Sequence, residues 1–339
     1  MLRLKGLFFI SIFLLVGCSE KQADLVRFQG DVFGTTYSIS YPPQENIAEK
    51  EQIQQKVTAR LQEIDNLMST WNEDSQLSRF NRLAAGKSMR VDPDLIAMLV
   101  LSKVMNKISE GAFDITVGPI VNLWGFGPRQ QERESALPSE EQLRAAQAHI
   151  GIDNLQMSGN SLTKKVNLYL DLSAIAKGYA VDEISKLLQQ QGIENYLVEI
   201  GGELFVRGRK ANGNKWRVAI EEPLDKGGSI HKTIELENLG MATSGDYRNY
   251  YEEDGVRYSH TIDPRTLRPI SHNLASATVI HQNTAVADAL ATALMVMGTQ
   301  KALDFAERLN LAVYLISREK EGFVSHTSQA LLDLEKGSQ

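Results

Sequence analysis

The sequence predicts an α+β fold: a mixed or largely antiparallel sheet flanked by helices, in one large domain with two lobes. Three observations predict it. Helical and strand-like segments mix along the chain without strict βαβ alternation. Hairpin signals recur, and Asp254-Gly255 between two strand-like runs is the clearest. The segment from Ala285 to Met297, AVADALATALMVM, is a helix apolar on nearly every face, which requires a thick core to bury it.

The chain opens with a targeting segment over residues 1–17. Arg3 and Lys5 form a charged region, and Leu7 to Val16 is a stretch of ten mostly apolar residues, too short to span a bilayer. Leu15-Val16-Gly17-Cys18 then matches a lipoprotein cleavage site. Cys18 is the only cysteine of 339 residues, so it has no internal disulfide partner. The expectation is a lipidated Cys18 and tether over 18–27, anchored at a membrane surface by acyl chains. The alternative is an ordinary secretory signal with an incidental cysteine.

A globular domain over 28–333 and a tail over 334–339 are expected to follow. Phe28 to Tyr41 alternates and reads as a strand. Ile53, Val57, Leu61, Ile64 and Leu67 give helical periodicity to 47–68. Residues 71–81 read as a loop. A helix over 93–109 has Pro93 near its start and Gly111 past its end. Residues 111–128, rich in Gly and aromatics, fit no regular element, and 129–141 is a polar connection. A short helix covers 140–149. Asn167 to Leu172 reads as a strand, after which Ser173 caps a helix running to Gln191 and closed by Gly192. Strands are expected at 196–200, 204–209 and 216–221. A hairpin is expected at 247–252 and 257–262, and further strands at 275–280, 310–316 and 322–326.

Net charge is −6 with both signs dispersed, and no basic stripe marks a nucleic-acid binder. The chain holds no P-loop, no G-x-G-x-x-G opening a helix, no G-x-S-x-G and no H-E-x-x-H, and it lacks a second cysteine for a thiolate zinc site.

Asp288 and Thr292 are the only polar residues of the apolar helix. They stand four apart, about 6 Å between Cβ atoms on one face. A buried carboxylate costs several kcal/mol unless a cation, donors or a proton neutralises it. The oxygen pair suits Mg²⁺ beside a phosphate, and equally a protonated Asp with a Thr bonded to its own backbone. Asp171 to Ala180 (DLSAIAKGYA) places an acid, free helix N–H groups and Lys177 together, which suits an anionic ligand or plain capping. Residues 111–128 offer close backbone approach and stacking faces, or a buried turn. His260 is the strongest candidate for a general base. Met241 to Asp246 is a phosphate contact or a turn.

These clusters stand in a recognisable order. GTTY at 34–37, MSTW and SQLSRFN within 68–81, GAFDITVGPIVNLWGFGP at 111–128, LDLSAIAKGYAVD at 170–182, EIGGEL at 199–204, ATSGDYRNYY at 242–251, SHTIDPRT at 259–266 and ADALATALMVMG at 287–298 closely resemble the ApbE family of FAD:protein FMN transferases. The resemblance implies an ApbE-like, T-fold-like core. It implies Mg²⁺-dependent transfer of FMN from FAD, as substrate, to a Thr or Ser hydroxyl of a protein, releasing AMP. Implied acceptors are flavin-bearing subunits of membrane redox complexes such as sodium-pumping quinone reductase. The alternatives are an FAD pyrophosphatase giving FMN and AMP, and a non-catalytic flavin-binding lipoprotein.

The resemblance carries the Mg²⁺ ligands onto the Ala174 carbonyl, Asp288 and Thr292. FAD contacts fall on Phe33, Trp71, Ala112, Phe113, Asp114, Asp171, Lys177 and Ile262, and the base for the acceptor hydroxyl on His260. The chain departs from the family pattern at several places. Ala291 stands where relatives carry an additional Asp, so the expected ligand set leans on water and phosphate oxygens. Phe33 replaces a common Met, Trp71 a common Tyr and Lys177 a Glu that can occur there. Leu267 replaces a usual Gly after Pro264-Arg265-Thr266. The expected location is the bacterial envelope, facing the periplasm. The implied acceptors favour the inner membrane, whereas Ser19 beside Cys18 favours outer-membrane sorting.

Overall fold

The computed structural model describes residues 25–127, 137–224, 229–247 and 249–337. The signal segment, Cys18 and Ser19 lie outside the described residues, as does most of the expected connection at 129–141. No helix among the described residues is long and apolar enough to cross a membrane.

The chain begins with β1 (Val26–Val32), β2 (Thr35–Tyr41), α1 (Lys50–Met68), α2 (Gln76–Arg82), β3 (Ser88–Arg90) and α3 (Pro93–Ile108). Next come α4 (Gly118–Leu123), α5 (Glu140–Gln147), β4 (Leu155–Ser158), β5 (Ser161–Lys164), α6 (Ala176–Gln190), β6 (Tyr196–Ile200) and β7 (Glu203–Arg207). Five strands follow: β8 (Trp216–Glu221), β9 (Ile230–Leu236), β10 (Leu239–Gly245), β11 (Tyr250–Glu253) and β12 (Val256–Ser259). The remainder is β13 (Ile262–Asp263), β14 (Arg268–Pro269), β15 (Leu274–His281), α7 (Thr284–Met297), α8 (Thr299–Arg308), β16 (Ala312–Glu319), β17 (Gly322–Thr327) and α9 (Gln329–Lys336).

Eight strands form the central sheet in the order β1-β2-β6-β7-β10-β15-β16-β17. Every neighbouring pair is antiparallel. This is the α+β class expected. The apolar helix α7 packs on β10 and β15, α6 packs on α7, and α1 on α6, so the main core lies between sheet and helices. A second core, with Trp216, Val218, Ile234 and Leu236, lies under the β8–β9 hairpin. A third joins Ile120 and Trp124 to Ile262 and Leu267.

Several expectations need correction. The single strand over 28–41 is a hairpin, broken by Phe33 at φ 52° and Gly34 at φ 71°. Two consecutive positive φ values make the tight turn that suits strand twist. Part of the expected loop at 71–81 is α2, capped by Ser75, whose hydroxyl accepts from the Ser78 N–H at 2.9 Å. The residues around 111–128 include the short helix α4. Asn167 to Leu172 is in no sheet. Asn81 occupies its backbone instead, donating to the Leu170 carbonyl and accepting from the Leu170 N–H, both at 2.8 Å. Ser173 is not the cap of α6, which starts three residues later after a turn. The Met241–Asp246 segment is mostly strand β10. The β4–β5 hairpin, β9, α8 and α9 add to the elements expected from the sequence. The Asp254-Gly255 hairpin forms as expected, with φ 51° and 74°.

Candidate active site

Helix α7 is held at its N-terminus from two sides. The Asn283 side chain accepts from the Val286 N–H at 2.9 Å. Asp182 of α6 accepts from the N–H groups of Thr284 and Ala285 at 2.9 and 3.0 Å. Donors that a helix start leaves open are thereby satisfied inside the core. Burial pushes the Asp182 carboxyl up, and these two N–H groups pull it back. Gly178 lets the helices touch: a Cβ there would stand 2.4 Å from the Thr284 carbonyl oxygen.

That contact delivers Asp288, which is 2% exposed. Its Oδ2 accepts from the Gly178 N–H at 3.0 Å, and its Oδ1 lies 3.9 Å from Lys177 Nζ. Burial pushes the carboxyl up, against the Lys177 charge and the Gly178 N–H. One turn on, Thr292 Oγ1 lies 3.1 Å from Ser244 Oγ of β10. Asp288, Thr292 and Ala174 all border a cavity of about 660 Å³.

The junction before α6 forms the next wall. Asp171 Oδ1 accepts from the Ser173 N–H at 2.9 Å and its hydroxyl at 2.5 Å, an Asx turn that folds the chain into the helix. The Asp171 N–H donates to the Ile115 carbonyl at 2.8 Å, tying this junction to the Gly- and aromatic-rich segment. There Asp114 Oδ1 accepts from the Thr116 N–H and hydroxyl at 2.8 and 2.7 Å. Burial pushes Asp114 up, and both Thr116 donors oppose it. Lys177 Nζ lies 2.8 Å from Glu203 Oε1. Burial pushes Glu203 up to about 8, the Lys177 charge opposing and the Asp288 charge adding to the rise.

His260 follows β12. Its ring Nδ1 stands 2.9 Å from the Asn249 carbonyl, which also accepts the His260 backbone N–H at 3.1 Å. A carbonyl only accepts, so Nδ1 carries the hydrogen and Nε2 keeps its lone pair. Burial pushes the imidazole down, with the Asn249 carbonyl pulling up. Behind it runs a ladder of stacked rings, Trp124–Tyr258–Tyr251–Phe126, with centroids 5.5, 5.3 and 5.2 Å apart. Phe126 meets His260 edge-on at 6.3 Å.

A second cavity of about 740 Å³ lies between the first hairpin and α1. It shares Trp71, Ser173 and Lys177 with the first. Of the residues expected at a site, Trp71, Ala112, Phe113, Asp114, Asp171, Ala174, Lys177, His260, Ile262, Asp288 and Thr292 border the first cavity, and Phe33 the second. Trp71 is 64% exposed and forms a rim. Ala112 and Phe113 are buried in the main core.

Asp288, Thr292 and the Ala174 carbonyl are hard oxygen donors that fit a divalent cation. Asp288 is buried with one close N–H donor, so a cation there offsets a charge the protein leaves undercompensated. No cluster of three or more His, Cys, Asp or Glu side chains with metal-binding geometry exists among the described residues. Ala291 is fully buried and contributes no ligand. Glu203 and Asp182 are not among the site residues expected from the sequence, whereas Ser244 lies in the Met241–Asp246 run expected as a phosphate contact or a turn. The signal for Glu203 is the Gly201-Gly202 pair before it, both at positive φ.

The ApbE family matches the chain over residues 33–315. The FAD:protein FMN transferase of Vibrio cholerae is 44% identical over 321 residues, covering 94% of this chain and 95% of the relative. That of Haemophilus influenzae is 41% identical over 339 residues, covering 98% and 97%. The crystal structure of Pseudomonas stutzeri flavinyl transferase ApbE in its apo form matches with a TM-score of 0.85 at 43% identity, covering 92% of this chain and 97% of that one. Flavin transferase ApbE from Vibrio cholerae matches with the same TM-score and identity, covering 92% and 99%.

Proposed function

This chain belongs to the ApbE family, and from that membership we propose that it is an FAD:protein FMN transferase, moving FMN from FAD onto a protein. The acceptor group in this reading is a Thr or Ser hydroxyl, and AMP is released. One observation carries the reading at atomic level: two cavities meet at Trp71, Ser173 and Lys177, beside Asp288. FAD is two ring systems joined by a diphosphate. A ring system in each cavity sets the diphosphate at the seam, where an ammonium, a hydroxyl and the Asp288–Thr292 pair converge. The acidic lining of Asp114, Asp171, Glu203 and Asp288 is poorly matched to a diphosphate without a cation.

Asp288, Thr292 and the Ala174 carbonyl are the groups that would hold Mg²⁺. When bound, Mg²⁺ neutralises diphosphate charge and polarises the phosphorus under attack. His260 Nε2 takes the proton of the acceptor hydroxyl. The acceptor oxygen bonds to the FMN phosphorus as the P–O bond to AMP breaks, and the electron pair leaves on the AMP phosphate. The Asn249 carbonyl sets the tautomer of the neutral imidazole that leaves Nε2 free to take this proton. Lipidation at Cys18 keeps the enzyme on an envelope membrane. Its acceptors there are flavoprotein subunits of redox complexes such as sodium-pumping quinone reductase.

The test is an acceptor-labelling assay with purified protein, FAD and an acceptor subunit, with Mg²⁺ and with EDTA. Covalent flavin fluorescence on the acceptor in Mg²⁺ alone is expected. AMP release at equal rate without acceptor replaces transfer by hydrolysis. Intact FAD after long incubation leaves a binding protein.

A further inference from the structure

Glu203 is the least explained buried carboxyl among the described residues. It is 2% exposed, yet it borders the first cavity. Its Oε2 is buried without a hydrogen-bond partner among the described residues. Its Oε1 meets Lys177 Nζ at 2.8 Å. A buried carboxyl with one oxygen unsatisfied costs stability, so packing does not account for it.

The surrounding backbone is arranged for that contact. Gly201 and Gly202 turn between β6 and β7 at φ 59° and 101°. A Cβ on Gly201 would stand 3.1 Å from Lys177 Cδ and 2.8 Å from Thr35 Cγ2. The missing side chain therefore gives the lysine stem its passage to Glu203. At the end of that passage the ammonium stops 3.9 Å short of Asp288 Oδ1. Lys177 has a flexible four-carbon stem, and Asp288 is a second carboxylate within its reach.

We propose that Glu203 is a positioning residue: its Oε1 holds the Lys177 ammonium at the seam of the two cavities and off the Asp288 carboxylate. The ammonium then faces the diphosphate of a bound dinucleotide, and Asp288 stays open to a cation. Without Glu203 the stem swings onto Asp288, and both groups are lost to the ligand. The requirement is an acceptor oxygen at this spot, which a glutamine amide also supplies. This inference rests on reading the joined cavities as an FAD site.

The experiment is flavin binding by fluorescence quenching in the presence of Mg²⁺, with FAD and with riboflavin, which lacks the phosphates. Glu203→Met keeps the side-chain length and apolar packing but removes the acceptor. It is expected to weaken FAD binding about tenfold, the scale of one lost hydrogen bond to a charged group, and to leave riboflavin binding unchanged. Glu203→Gln is expected to restore FAD affinity. In a Lys177→Met background, Glu203→Met is expected to have no further effect. Undiminished FAD binding by Glu203→Met, an equal loss in the Lys177→Met background, or an equal loss for riboflavin overturns the inference. Wild-type protein that binds riboflavin but not FAD, or neither, overturns instead the functional reading beneath it.

Discussion

The backbone N–H of Gly178 donates to Asp288 Oδ2 at 3.0 Å, across a helix contact too close for any side chain at position 178. The residue that brings α6 against α7 is thus also the one that orients the carboxylate. Geometry and chemistry of the site share a single atom-to-atom contact.

Gly178→Ala tests that contact. Alanine favours an isolated helix by about 1 kcal/mol over glycine. Here its Cβ would stand 2.4 Å from a backbone carbonyl that cannot rotate away. The expected outcome is a net loss of about 1–3 kcal/mol in chemical denaturation, as for overpacked cores. Unchanged stability would show that the helices are not in contact.

Asp288→Asn keeps an acceptor for the Gly178 N–H and removes the charge. FMN transfer is expected to fall about a hundredfold or more, with a loss of the Mg²⁺-induced rise in melting temperature. Wild-type-like response to Mg²⁺ in this variant would refute Asp288 as a ligand.

The His260 imidazole is pushed by burial below its ordinary 6.5. A base works in its neutral form, so the acid limb of the transfer rate is expected below pH 6.5 rather than at it. Stability carries the same sign: the unfolded chain takes up the proton first, so this contribution fades as pH falls below 6.5. His260→Asn is expected to remove the limb along with most of the activity. A limb that persists in this variant belongs to another group.

Arg60 ties three helices together, at 2.5 Å to Asp94 of α3, 2.7 Å to Glu183 of α6 and 3.1 Å to Glu63 of α1. Burial raises the Asp94 carboxyl, but its bonds to Arg60 and Tyr179 win and hold it below 3.8. That contribution is present above pH 3.8 and lost as pH falls through the lowered value. Arg60→Met is expected to cost about 1–3 kcal/mol at neutral pH and to flatten the acid limb of stability. Parallel stability curves for the two proteins below pH 5 would rule this out.

The sequence carries local chemistry well and long-range contacts poorly. Asp288 and Thr292 stand out because nothing else in their helix is polar. The Asp254-Gly255 hairpin stands out because those residues accept positive φ. The Phe33-Gly34 turn was hidden because phenylalanine rarely takes that conformation, and alternation continued across it. Residues 167–172 alternate like a strand, yet their backbone groups go to Asn81 and Ile115, far away in sequence. Glu203 was invisible for the same reason, since its burial depends on a lysine from another helix meeting it.

Trp71 has a practical consequence. It is one of three tryptophans, and the other two, Trp124 and Trp216, are buried at 3% and 2% exposure. Trp71 alone stands at the seam of the cavities, so the enzyme carries its own optical reporter. A flavin bound in either cavity is expected to quench the emission of this exposed indole, which borders both. Ligand arrival at the seam is readable in unlabelled protein.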